Sequence, residues 1–272
     1  MATRKSKSMV GWEDKLAGYA TQAAAMESSA AASGRPFLSV KAGVLSFNGA
    51  EIPGNKLRVV VLDHVLENVA YGPYDPDNPE APFCFAFARE EKDLAPHAEA
   101  TDPQCVTCCG CPLNEFGSAE TGRGKACKNT RRLALIGEDS LNNLEDAEVA
   151  YFRVPVTSVA GWAGYVSQVA STLKRPPFGV VTEISVVPDR KSQFKVQFKL
   201  AEKIDNPELF EGLIAAHESA SGVIMFPYVA RDDDEASAKP QRVAKQVTAQ
   251  RGRKQTTAQR GRKQAATARA KY

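Results

Sequence analysis

Apolar residues recur along this chain mostly with a period of two, in short runs, and with a helical period in three places. From 11 to 33, in an Ala-rich segment, Trp12, Leu16, Tyr19, Ala23 and Met26 follow three- and four-residue steps. This predicts one amphipathic helix, ended by Gly34 and Pro36. Strands are predicted within 37–70, then over 83–87, 131–136, 149–154, 179–187 and 193–200. Leu57 to Leu62 has Arg58 as its one polar residue, the mark of a strand buried on both faces. Asn48-Gly49 and Pro53-Gly54-Asn55 are turn signals, and the four prolines of 71–82 make a loop. Val159, Trp162, Val166, Val169 and Leu173 share a helical face behind a Thr157 or Ser158 cap. Phe194, Val196, Phe198 and Leu200 alternate with Lys195, Gln197 and Lys199, giving one apolar and one basic face. A helix over 206–219 has Asn206 as its cap and Pro207 at its first position.

This pattern predicts a mainly β protein with a few helices, an OB-like β-barrel. Three regions follow: a helical arm at 1–34, a barrel domain at 35–230 with an irregular insertion at 97–130, and an acidic hinge and tail at 231–272. At 43% hydrophobic and 25% charged residues, the chain has enough apolar content for a core. No apolar run approaches the length of a membrane span, and the basic N-terminus has no apolar segment behind it. The expectation is a cytoplasmic protein with no membrane partner.

Charge is unevenly placed. From Lys239 to Tyr272 there are eleven Lys and Arg and no acid, leaving 24 basic against 32 acidic residues in the rest. The tail repeats Thr-Ala-Gln-Arg-Gly-Arg-Lys-Gln from Thr248 and again from Thr257. With no large apolar side chain in either copy, it is expected to be disordered when free. Arg251, Arg253, Lys254, Arg260, Arg262 and Lys263 form its two clusters, and such an arm points to a polyanion, most often nucleic acid.

Five of the six cysteines fall between Cys105 and Cys127. Clustered thiols in a reducing compartment favour metal over disulfides. Cys108-x2-Cys111 is a zinc-knuckle spacing, and Cys127 follows after fifteen residues. Cys84 is the first choice for the fourth ligand of a structural Zn²⁺, with His97 and Cys105 as alternatives and Cys109 a spare thiol. A catalytic zinc needs an open position and a nearby base, and Glu115 is the only near carboxylate. The glycine-rich run 117–126 fails as a phosphate loop: the first required glycine is Ala119, and no Ser or Thr follows Lys125. His64, His97 and His217 are scattered, and no nucleophile elbow or His-Glu-x-x-His occurs.

The stretches Cys108-Cys-Gly-Cys-Pro-Leu-Asn-Glu-Phe-Gly-Ser118, Gly122-Arg-Gly-Lys-Ala-Cys-Lys-Asn129 and Arg131-Arg132-Leu133 form one distinctive set. With Val154-Pro155-Val156-Thr157-Ser158 and Trp162-x-x-Tyr165-Val166, the chain over 35–230 resembles a group of bacteriophage proteins regarded as single-stranded-DNA-binding or replication-associated. The resemblance implies an OB-like barrel interrupted by a zinc-binding insertion. It also implies a non-enzymatic role in phage DNA replication or recombination, with replication or recombination proteins as partners. The chain departs from such proteins in its basic tail, since single-strand binders usually end in an acidic one.

A barrel of this kind holds single strands through a basic groove and aromatic platforms. Candidate phosphate contacts are Arg58, Arg123, Lys125, Lys128, Arg131, Arg132, Lys195 and Lys199. Candidate stacking residues are Tyr71, Tyr74, Phe116, Tyr165 and Phe178. Two other classes stay open: a metal-dependent nuclease or replication-enzyme subunit, and a nucleoid-like protein condensing duplex DNA through its tail.

Overall fold

The computed structural model describes residues 35–73, 80–120 and 122–228, together with Lys15, Leu16, Gly18, Tyr19 and Gln22. Its strands are β1 (Phe37–Lys41), β2 (Val44–Phe47), β3 (Ala50–Glu51), β4 (Lys56–Ala70), β5 (Cys84–Ala88), β6 (Lys128–Gly137), β7 (Ala150–Val154), β8 (Val180–Asp189) and β9 (Gln193–Lys203). Helix α1 spans Val159–Leu173 and helix α2 spans Glu208–Val223. The fold is mainly β, as the periodicity predicts: one nine-stranded mixed sheet, strongly curled into a half-barrel of OB-like character.

Strand β4 organises the sheet. It continues eight residues past the apolar run that ends at Leu62, to the end of the predicted strand region at Ala70, and the polar residues beyond Leu62 find partners inside the protein. One edge of β4 pairs with β6 along nearly its whole length. The other edge is shared: β8 takes Lys56 to Val59 and β5 takes Leu66 to Ala70. A bulge between Val61 and Asp63 shifts the register midway and bends the strand. The order then runs outward through β7, β1, β2 and β3 on one side and β9 on the other, with β1 and β7 the parallel pair.

Both faces carry a core. On one, Val59, Val61, Leu133, Leu135, Phe152 and Ile184 pack against Trp162, Tyr165 and Val169 of α1. On the other, Val60, Leu62, Ala134 and Ile136 pack under Leu213 and Ala220 of α2 and Ile224 beyond it. The expected Ser158 cap does not form; its hydroxyl accepts the Val196 amide at 2.9 Å and ties the start of α1 to β9. Asn206 Oδ1 accepts the Glu208 amide, so the α2 signal holds. Of the N-terminal helix, Lys15, Leu16, Gly18, Tyr19 and Gln22 are helical, with Leu16 and Tyr19 exposed; Trp12, Ala23 and Met26 lie outside the described residues. The acidic hinge and the basic tail also lie outside them.

Candidate nucleic-acid interface and cysteine pocket

The insertion between β5 and β6 hangs from the far end of β4. Cys84 opens β5 opposite Ala70, and Cys127 immediately precedes Lys128, which stands opposite Val69 on the other edge. The two cysteines therefore flank one end of the same strand. Cys105, Cys108 and Cys111 come from the insertion, and all five line one cavity of about 20 Å³. Gly110 turns the chain between Cys108 and Cys111 at a φ of 74°, a conformation glycine adopts without Cβ strain. Cys108, Cys111 and Cys127 are buried, Cys84 and Cys105 partly buried, and Cys109 exposed. Among the described residues, no group of three or more His, Cys, Asp or Glu side chains is placed so as to hold a metal ion.

The pocket is hostile to bare thiolates. Burial, helped by the thiols of Cys108, Cys111 and Cys84, pushes Cys127 up to about 12, with Lys125 pulling weakly the other way. Burial, a hydrogen bond with Cys111 and the same crowding push Cys105 up to about 12. Cys108 is raised by burial but relieved by the Asn68 side chain. Asn68 accepts from Asn129 Nδ2 at 2.7 Å, while its own buried amide nitrogen has no hydrogen-bond partner. An N–H aimed at a cluster of thiols suits a thiolate better than a thiol. His97 is removed from the ligand alternatives: its ring stacks on Phe85 at 5.1 Å, on the sheet face opposite Cys84.

Backbone and side-chain bonds fix the rest of the insertion, which sequence patterning had left as irregular. Cys127 donates to the Leu113 carbonyl, and Ser118 Oγ donates to Leu113 and Glu115 carbonyls while accepting the Ala126 amide. Asn114 Nδ2 donates to the Cys108 carbonyl at 3.0 Å, and its Oδ1 accepts from Lys125 Nζ at 3.1 Å. Lys125 is held in turn over the ring of Phe116, which is 82% exposed.

Beside the pocket, on the α1 face, runs an open groove of about 720 Å³. Leu66, Leu94 and Val159 contribute its apolar lining, and Lys92, Lys125 and Arg131 its cations, against the single acid Glu91. Leu66 and Arg131 also line a second hollow of about 260 Å³ further along, between β4, β6 and α1. The two hollows adjoin at Leu66 and Arg131, which line both.

The sequence-predicted contacts separate sharply on this frame. Lys125 and Arg131 line the groove, and Phe116, Arg123 and Lys128 are exposed on or beside the insertion. Arg58, Lys195 and Lys199 stand on the opposite face, among acids: Arg58 pairs with Glu138 at 2.8 Å and Glu202 at 3.2 Å, Lys195 with Asp189 at 3.1 Å, and Lys199 stands opposite Glu183. Three expectations fail on burial. Arg132 is fully buried against Glu67; one-residue alternation along β6 turns it inward while Arg131 faces the groove. Tyr165 is buried in the core with its hydroxyl 2.6 Å from Thr182 Oγ1. Phe178 packs in the α2-side core and stacks on His217 at 4.9 Å. Tyr71 is 41% exposed and its hydroxyl accepts from Arg153, on the face away from the groove. Tyr74 lies outside the described residues, as do Arg251, Arg253, Lys254, Arg260, Arg262 and Lys263.

Sequence reasoning missed Arg89, Lys92, His64 and Asn68. Arg89 reaches Asp63 by two hydrogen bonds, at 3.0 and 2.7 Å, and Ser221 adds a third at 2.9 Å. Burial raises the Asp63 carboxyl, but these bonds outweigh it and hold Asp63 below its usual value of 3.8. A carboxyl lowered in the folded state stabilises the fold above its unfolded value and loses that contribution as pH falls through the folded one. The thermal midpoint of the wild type is therefore expected to fall faster than that of Asp63→Asn as pH drops from 5 to 3, approximate bounds set by the carboxylate range. Parallel curves for the two proteins would show that the pair adds nothing to stability.

No helix among the described residues is long and apolar enough to cross a membrane. No protein-family profile, curated protein or solved structure matches the chain.

Proposed function

We propose that this protein is a non-enzymatic single-stranded-DNA-binding protein of phage replication or recombination, and that the α1-face groove carries the strand. The observation that carries the reading is the mixed lining of that groove, apolar at Leu66, Leu94 and Val159 and cationic at Lys92, Lys125 and Arg131. Single strands need both features: charge to follow the phosphates and apolar or aromatic surface for unpaired bases. Phe116 beside Lys125 supplies an exposed ring where the groove meets the insertion.

The cysteine pocket fits one structural Zn²⁺, held by Cys84, Cys108, Cys111 and Cys127. All-thiol donors suit zinc or an iron–sulfur cluster. Cys105-x2-Cys108-x2-Cys111 has the spacing of the first three ligands of a cluster-binding run, but Glu115 stands where the fourth cysteine would. A cavity of about 20 Å³ favours a single ion, since one water needs roughly 10–15 Å³. The ion would neutralise the crowded thiolates and pin the insertion as one wall of the groove. The orphaned Asn68 amide supports this assignment. Duplex DNA is a weaker partner, through the tail, and replication or recombination proteins are further candidates.

Fluorescence anisotropy with labelled single strands and duplex, with Mg²⁺ present and strand length checked afterwards, tests this reading. Preference for the single strand with intact DNA is expected; shortened strands would make the protein a nuclease, and duplex preference a condensing protein. Arg131→Gln is expected to flatten the slope of log affinity against log salt by about 0.7, one phosphate contact. Truncation after residue 236 is expected to flatten it by about 3 if four tail cations make contact. Identical slopes for the full chain and the truncated form would show that the tail does not touch DNA.

A further inference from the structure

The second hollow, beside the groove, has a lining of its own. Its volume of about 260 Å³ is lined by His64, Leu66, Trp162 and Val166, with Arg89 and Arg131 at its sides and Ala163 and Ser167 on α1. That volume falls just under the usual lower bound of about 300 Å³ for small-molecule pockets, so it suits one flat ring rather than an extended ligand. The lining suits the same object. Leu66, Val166 and Trp162 are apolar, and the His64 ring meets Trp162 edge-on at 5.4 Å.

The two guanidiniums differ in use. Arg89 is engaged on both Asp63 oxygens and is thereby fixed in place. Arg131 donates from Nη1 to the neighbouring Thr130 carbonyl and is drawn electrostatically to Glu91. It lines both hollows, at the junction where a strand entering from the insertion would turn inward. A guanidinium there can hold a phosphodiester while the attached base occupies the space beyond. Burial and the charges of Arg131, Arg89 and His217 hold the His64 ring below its usual value, against the pull of Asp63. The ring is therefore neutral, with one donor and one acceptor nitrogen.

We infer that this hollow is a base pocket: it takes one unstacked nucleobase of a single strand, laid against Leu66 and Val166 with the buried Trp162 ring behind them, and with the adjoining phosphate on Arg131. This rests on the single-strand reading and adds to it a defined place where the strand is gripped by a base rather than by charge. Base contact of this kind contributes about 1–3 kcal/mol per base, so filling the hollow is expected to weaken binding about tenfold without changing the number of phosphates contacted.

The test uses the full chain with Trp12→Phe, which leaves Trp162 as the one remaining indole. Oligothymidylate is titrated while Trp162 emission and the anisotropy of a labelled strand are followed. Ala163→Phe and Ser167→Tyr then fill the hollow separately; both positions are exposed on α1, and circular dichroism checks each fold. Quenching of Trp162 on binding, with about tenfold weaker affinity and an unchanged salt slope in a folded filler variant, is the expected result. Strand binding with unaltered Trp162 emission and undiminished affinity in the folded variants would overturn the base pocket and leave the single-strand reading standing. A parent protein that binds no single strand overturns both. If neither variant folds, the emission of the parent on binding decides alone.

Discussion

Glu67→Leu is expected to cost about 3–5 kcal/mol of folding stability, the largest effect of any single polar substitution in this protein. Glu67 and Arg132 are both fully buried, with Arg132 Nε donating to Oε1 at 2.9 Å. Arg132 Nη2 lies 2.6 Å from the same oxygen but off the line of a hydrogen bond, so its attraction there is Coulombic. Thr130 and Tyr228 hydroxyls also donate to the carboxylate, at 3.0 and 2.7 Å. Phe87, Phe226 and Tyr228 surround the guanidinium at 4.2, 4.1 and 5.1 Å. Removing the carboxylate leaves a desolvated cation with no counter-charge in a wall of aromatic rings. Replacing both partners, Glu67→Leu with Arg132→Met, is expected to recover only part of the loss. Arg132 Nη1 also donates to the Ile224 and Phe226 carbonyls, at 3.2 and 2.7 Å, and each buried carbonyl left bare costs about 1–3 kcal/mol. Denaturant midpoints of the four proteins, at unchanged m-value, give the coupling energy. A single-substitution cost below about 1 kcal/mol would mean that water reaches the pair.

Loss of the proposed zinc is expected to be the second large effect. Protein purified under reducing conditions without chelator is expected to carry one zinc per chain, and Cys111→Ser is expected to lose it. Apparent zinc free energies of about 10–16 kcal/mol in small peptide sites bound what the ion can contribute here. The loss is expected to be local. Neither large core includes a cysteine, so the sheet keeps its packing while residues 97–127 become the first site of proteolysis. Cys109→Ser, at the exposed thiol, is expected to retain the metal. Because the ligands bind as thiolates, metal is also expected to be released as pH falls, protons displacing the ion. Metal content near zero in the wild type would overturn the assignment, and brown protein containing iron and sulfide would replace it with a cluster.

The sheet was legible because its strands obey simple rules. β1 to β4 all fall within the predicted 37–70, and β7, β8 and β9 begin or end within a few residues of expectation. The half-polar second part of β4 was not legible. Asp63, His64, Glu67 and Asn68 interrupt its apolar pattern, and their partners lie far off in sequence: Arg89 and Ser221 for Asp63, Arg132 and Tyr228 for Glu67, Asn129 for Asn68. Four polar residues on a strand covered on both sides were the available signal. That the clustered cysteines would meet in one pocket was legible from their spacing, whereas the groove was not, since Arg89 and Lys92 sit in a mixed-charge run that reads as solvated surface. Arg131 and Arg132 look equivalent in sequence; only the phase of β6 sends one to the groove and the other to Glu67.

The shared edge of β4 also sets an order of assembly. Its pairings with β5 and β6 join residues such as Val69 to Phe85 and to Lys128, whereas its pairing with β8 must bring Val59 to Thr182. Long closures are slow, because chain entropy is lost before the contact is gained. The end of β4 beside the cysteines can therefore form before the end that closes the half-barrel. A metal ion captured there would clip together the loops that separate β4, β5 and β6, shortening the search for the remaining strands. Refolding of the zinc-loaded chain is on this basis faster than that of the stripped one, even where the two native sheets are equally stable.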